Sequence, residues 1–231
     1  MKRAHQIRRT VAALITLLVA VTILLSNTEL WQTASPPSHS ETTIASGKAA
    51  DSLNKLAVKG RAPKTGYART QFGNGWAEVN GCDTRNIILN RDLASPNIND
   101  KCQVISGTLQ DPYTGETIVF SRGASTSADV QIDHVVALGD AWQKGAQQLT
   151  ADKRKQLAND PLELLAVDGP ANQQKSDGDA ATWLPSNKAF RCQYVARQIA
   201  VKQKYSLWVT QAEKDAMSHV LMTCPGQALP T

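Results

Sequence analysis

Asp133 and His134 stand side by side in Gln131-Ile132-Asp133-His134-Val135-Val136, and further along the chain reads Pro170-Ala171-Asn172-Gln173-Gln174-Lys175. Carboxylate and amide oxygens suit a hard divalent cation such as Mg²⁺, which keeps several of its waters. On a regular strand, neighbours such as Asp133 and His134 point to opposite faces. At a strand end the backbone can bend, so that Asp133 holds a metal while His134 faces a substrate. A helix packed across that hairpin can bring Asn172 to the same ion. Each piece alone is weak: an Asp-His dipeptide arises by chance, and Asn172 can equally serve as a hydrogen-bonder at a helix start.

The elements that must position these residues follow from local pattern. Thr117 to Phe120 is a β run after a turn at Asp111-Pro112-Tyr113-Thr114-Gly115. Val130 to Val136 is extended and enters a helix that carries Leu138 and Trp142 on one face. Thr150 caps a short helix ending near Asn159, and Leu162 to Val167 is extended again. Gly169-Pro170 starts the helix bearing Asn172 and Lys175, because proline is at home in a first helical turn. Phe190, Tyr194, Val195 and Ile199 form one helical stripe, and Thr210 with Glu213 reads as a capping box for a last helix. Strand, strand and helix embedded among helices is an α+β pattern, not alternating βαβ.

The chain has 231 residues, 42% of them hydrophobic and 19% charged, enough to bury a core. This composition excludes collagen, coiled coil and a multi-span membrane protein. Lys2, Arg3, Arg8 and Arg9 precede an uncharged run from Val11 to Leu25, the pattern of an export signal. Residues 1–26 therefore read as a signal peptide, or as a signal anchor tethering the chain through 11–25. Residues 27–52 read as a flexible Ser/Thr/Pro linker, and 53–231 as one globular domain. Cys82, Cys102, Cys192 and Cys224 form no C-x-x-C pair, and His219 is the one other histidine of the domain, which argues against zinc. An exported chain favours two disulfides. Of the three pairings, the short loops Cys82–Cys102 and Cys192–Cys224 are preferred, without excluding the others.

Taken together, several stretches resemble the His-Me finger (HNH, ββα-metal) endonucleases. These are Tyr67-Ala68-Arg69, Gly81-Cys82-Asp83-Thr84-Arg85, Asp111 to Gly115, Ile132 to Val136, Asn159-Asp160-Pro161-Leu162 and Asn172 to Lys175. More closely, they resemble exported bacterial proteins that share the C-terminal nuclease domain of GmrSD-type restriction enzymes. The resemblance spans nearly all of Tyr67 to Cys224. It implies a ββα-metal core embedded in helices, with small N-terminal β elements. It also implies roles: His134 as general base, Asp133 and Asn172 as ligands of Mg²⁺ or Mn²⁺, and Lys175 and Arg85 on phosphate oxygens, joined by Arg69 and Arg122. Neutral imidazole, with an ordinary pKa of about 6.5, suits the base. One residue departs from the pattern: Glu163 stands where the family usually has an asparagine that braces the loop bearing the base. Hence two readings: a secreted, metal-dependent endonuclease acting on DNA or RNA with little sequence specificity, or a surface DNA-binding module whose centre is impaired. Either reading is of a monomer without an organic cofactor.

The net charge of +5 invites a nucleic-acid reading, but four of the cations lie in residues 1–26. With those set aside, 21 cations face 20 acids. What remains is segregation. From Ala180 to Ala212 there are cations at Lys188, Arg191, Arg197, Lys202 and Lys204 and no acid, a candidate track for a phosphate backbone. Trp76, Trp142, Trp183 and Trp208 read as core, and no G-x-S-x-G surrounds Ser125 to Ser127, so a serine hydrolase is poorly supported.

Overall fold

The computed structural model describes residues 47–230; the expected export signal (1–26) and residues 27–46 of the expected linker lie outside the described residues. Helix α1 (Lys48–Lys55) buries Ala49, Ala50 and Leu53. The folded region therefore starts at least five residues before position 53, because the small Ala49-Ala50 pair packs inward and Ala49 N donates to Gln227 O at 3.0 Å. Among the described residues no helix is long and apolar enough to cross a membrane.

Three small antiparallel sheets follow. The first pairs β1 (Glu78–Val79) with β2 (Cys82–Asp83). Asp83 then caps α2 (Thr84–Asp92) by accepting from Asn86 N. The second sheet orders β3 (Ala94–Ile98), β4 (Val104–Gln110) and β5 (Thr117–Ser121). The third pairs β6 (Val130–His134) with β7 (Leu164–Asp168), in a register setting Asp133 opposite Leu165 and His134 opposite Leu164.

Between these two strands run α3 (Leu138–Gln143) and α4 (Ala151–Ala158). The Thr150 side chain caps α4 by accepting from Lys153 N. After β7 the chain turns at once into α5 (Gly169–Lys175), capped by Asp168 and carrying proline in its first turn. Glycine is required there: a Cβ on Gly169 would lie 2.2 Å from the Ala128 carbonyl. So β6, β7 and α5 form a strand–strand–helix unit. Helices α6 (Arg191–Lys204) and α7 (Gln211–Met222) complete the domain, the latter with the full Thr210–Glu213 capping box.

The pleat of the β6–β7 sheet separates two cores, as period-two alternation requires. Val130, Ile132, Leu164 and Ala166 face Ile88, Leu89, Val104 and Phe120. Leu165 and Val167 face the larger core built on α1, α3, α6 and α7. Both expected disulfides form, Cys82–Cys102 with Cα atoms 5.3 Å apart and Cys192–Cys224 with Cα atoms 6.4 Å apart.

Buried charges knit the helices together. Lys144 Nζ, fully buried, lies 2.7 Å from Asp140, 2.7 Å from Asp179 and 2.6 Å from Glu213. Lys202 Nζ, also fully buried, lies 2.9 Å from Glu213, and Arg61 reaches Asp179 at 2.6 Å. Burial would raise the Asp179 carboxyl, but Lys144 and Arg61 outweigh it and hold the group down at about 2.

Candidate active site

A cleft of about 380 Å³ opens between the β6–β7–α5 unit and the segment preceding α2. Asp133, His134 and Asn172 line it together with Arg69 and Arg85. Five of the residues expected at the site are thus brought together from four separate parts of the chain.

His134 ends β6 and is 6% exposed. Its Nε2 lies 3.0 Å from the Ala158 carbonyl. A carbonyl only accepts, so in the neutral ring Nε2 carries the proton and Nδ1 keeps the lone pair. Burial, aided by the positive charges of Arg69 and Lys175, pushes the imidazole down to about 3 against the opposing bond to Ala158. The ring is therefore neutral across the physiological range. Trp76 stacks on it, with centroids 5.7 Å apart and planes 6° from parallel.

Asp133 points to the other face of the sheet. Its Oδ1 accepts from Lys175 Nζ at 2.9 Å, and its Oδ2 accepts from the Tyr113 hydroxyl. Burial raises its carboxyl above the ordinary value, opposed by Lys175 and Tyr113. Lys175 does not line the cleft: it is fully buried behind Asp133 and also donates to the His134 carbonyl at 2.8 Å. Tyr113, fully buried, lies outside the expected set of site residues. It is delivered by the Asp111–Gly115 turn, closed by Gly115 N donating to Asp111 O at 2.9 Å with Gly115 at φ +85°. The one signal in the sequence was the Asp-Pro-Tyr-Thr-Gly motif itself.

Asn172 Nδ2 donates to Gln131 Oε1 at 2.9 Å, leaving its Oδ1 open to another partner. Among the described residues no group of three or more His, Cys, Asp or Glu side chains converges as a metal site. At the cleft a cation would have to share the Asp133 carboxylate with Lys175 and Tyr113 and would add the Asn172 amide oxygen. Such a short all-oxygen set fits a hard cation that retains most of its waters and does not fit zinc.

Glu163, fully buried, does not line the cleft. Its Oε2 accepts from Val136 N at 3.2 Å, so the turn after His134 is braced through an acceptor rather than an amide donor. Burial lifts its carboxyl well above the ordinary 4.5, and the charge of Asp133 adds to that.

The remaining expected contacts divide sharply. Arg85 lines the cleft while its NH2 donates to the carbonyls of Ser127 and Val130. Arg122 donates to the Val104 carbonyl and to Asn86, Arg191 to the Pro185 carbonyl, and Arg197 to the Leu162 carbonyl at 3.2 Å. Lys202 is sealed in the interior ion pairs. The expected basic track on α6 is therefore mostly a set of structural contacts. Lys188 is exposed, and Arg69 is exposed at the rim of the cleft.

A buried histidine thus ends β6 beside an acid, with α5 packed on the β6–β7 pair. A family model described as "GmrSD restriction endonucleases, C-terminal domain" matches residues 83–220, and the chain belongs to that family. A nuclease domain of this kind takes nucleic acid as its substrate. An "Uncharacterized secreted protein" of Arthroderma benhamiae is 37% identical over 185 residues, covering 78% of this chain and 87% of that protein. That relative is fungal, whereas the resemblance seen in the sequence pointed to bacterial proteins. No solved structure matches the chain.

Proposed function

We propose that the chain is an exported endonuclease that hydrolyses phosphodiester bonds of DNA or RNA, with His134 as general base. The observation that carries this is the tautomer: the Ala158 carbonyl holds the proton on Nε2 and leaves the Nδ1 lone pair on a ring that lines the cleft. His134 takes the proton of the attacking water at Nδ1. Arg69 and Arg85 hold phosphate oxygens at the rim. Lys175 and Tyr113 fix the Asp133 carboxylate, and Lys175 also fixes the His134 main chain. Asp133 and Asn172 would hold Mg²⁺ or Mn²⁺, which supplies charge stabilisation for the phosphate and the leaving oxygen. Export is supported by the two disulfides and by the secreted relative.

The competing reading, a DNA-binding module impaired at Glu163, is disfavoured by the hydrogen bond from Val136 N to Glu163, which preserves the brace. The test is cleavage of plasmid, single-stranded DNA and RNA by the mature protein and by His134→Ala across a divalent metal series and with EDTA. Cleavage that needs the metal and is lost in His134→Ala is expected; all three substrates left intact under every metal would sink the proposal.

A further inference from the structure

Two recesses meet at His134. The polar cleft already described adjoins a smaller one of about 130 Å³ with an apolar wall of Phe72, Gly73 and Gly75. Arg69, Trp76, His134 and Leu138 border both. The larger recess is at the small end of ligand pockets, which run about 300–1,000 Å³. Both are small, and His134 at 6% exposure sits below the rim.

The aromatic groups on this wall differ from the others in the domain. Trp142, Trp183 and Trp208 all donate their indole N–H to protein acceptors. The hydroxyls of Tyr113, Tyr194 and Tyr205 are likewise bonded. Trp76 and Tyr67 have no such partner among the described residues, and both line the larger recess. Arg69, between them in sequence, also makes no hydrogen bond or ion pair among the described residues and borders both recesses. All three precede the region 83–220 matched by the family. The wall is nonetheless firmly seated: Phe72 is 2% exposed, Ala77 N donates to Asn159 Oδ1 at 2.8 Å, and Arg154 Nε donates to Gln71 O at 2.8 Å.

We propose that this wall makes the site selective for single-stranded polynucleotide, with the scissile phosphate over His134 and one base in each flanking recess. The inference rests on the nuclease reading above and adds its substrate class. Aromatic rings interleaved with a cation in a narrow cleft grip bases and backbone of one strand without reading sequence. A duplex is a stiff rod with a persistence length of about 150 base pairs, and it is normally held by a broad row of cations. The row expected on α6 is instead tied into the fold through Arg191, Arg197 and Lys202.

The test compares single-stranded, duplex and bubble oligonucleotides of one sequence, as DNA and as RNA, with the mature protein. Cleavage is measured with the wild type, and binding by fluorescence anisotropy with His134→Ala. Single strands and bubbles should exceed duplex at least about tenfold in kcat/KM and in affinity, the scale of one lost base–aromatic contact. With two rim arginines, the log–log salt slope of single-strand binding should be only about −1.4, whereas a duplex track of six contacts would give about −5. Trp76→Ala should raise KM for single strands about tenfold, and Trp76→Phe, which keeps the ring, should restore most of the loss. Equal cleavage and binding of duplex and single strand would overturn the substrate class and leave the nuclease reading standing. Absence of cleavage on every substrate would overturn the nuclease reading itself and the inference with it.

Discussion

Lys175 Nζ lies 2.9 Å from Asp133 Oδ1, and both groups are almost wholly withdrawn from water. The pair is the anchor of the site, since the same ammonium also holds the His134 carbonyl. Removing one partner of a buried pair leaves the other uncompensated, at a cost of about 3–5 kcal/mol. Lys175→Met should therefore lower stability by that amount in chemical denaturation as well as abolish cleavage. Adding Asp133→Asn should recover much of the stability but none of the activity. A single Lys175→Met variant as stable as wild type would refute the anchoring role.

Tyr113→Phe tests the second hydrogen bond to Asp133. The hydroxyl opposes the upward push of burial on that carboxyl, so its loss should raise the carboxyl further. Leaving a buried acceptor short of a donor costs about 1–3 kcal/mol. Denaturation of Tyr113→Phe against wild type at neutral pH gives the number, and no change would show the bond to be dispensable.

Burial pushes the His134 imidazole down from its ordinary 6.5 to about 3. A general base already neutral at pH 5 gains nothing as the pH rises through 6.5. The pH profile of kcat/KM should therefore lack an acid limb near the ordinary imidazole value. An acid limb of wild-type kcat/KM at that pH would contradict the buried environment described for the ring.

Glu163 carries a carboxyl raised well above its ordinary 4.5 by burial. The folded state then holds a proton that the unfolded state releases. Its stability contribution is complete below about pH 4.5 and declines as the pH rises toward the folded value. Glu163→Gln keeps the acceptor for Val136 N and has no proton to lose. Thermal denaturation from pH 4.5 to 8 should show wild type losing stability relative to Glu163→Gln; parallel curves would count against the assignment.

Lys202→Met should weaken the fold and leave nucleic-acid affinity unchanged, because its ammonium faces Glu213 and not solvent. A loss of about 3–5 kcal/mol in denaturation, with unchanged binding below the unfolding transition, is expected.

The elements around the site were legible because their signals are local. Thr150 caps α4, Gly169-Pro170 opens α5, Thr210 and Glu213 box the start of α7, and Asp133-His134 closes a strand. The charge reading of α6 failed for the opposite reason. Its run of cations without an acid is true along the chain, but the acids that claim Lys202 come from α7 and α3, and carbonyls before and within β7 claim Arg197. Tyr113 escaped notice likewise, since nothing near it in sequence reveals that its hydroxyl meets Asp133 on β6. The start of the domain was placed too late because alanines bury too little surface to announce a core helix.

The interior cluster at Lys144 joins α3, the stretch after α5 and α7, while Arg61 ties in the segment before the cleft wall. Lifting α3, the stretch after α5 or α7 away alone strands a charge in the core, so each such opening carries a cost of about 3–5 kcal/mol. Nicking of the domain by an added protease should then track global unfolding rather than loop fraying.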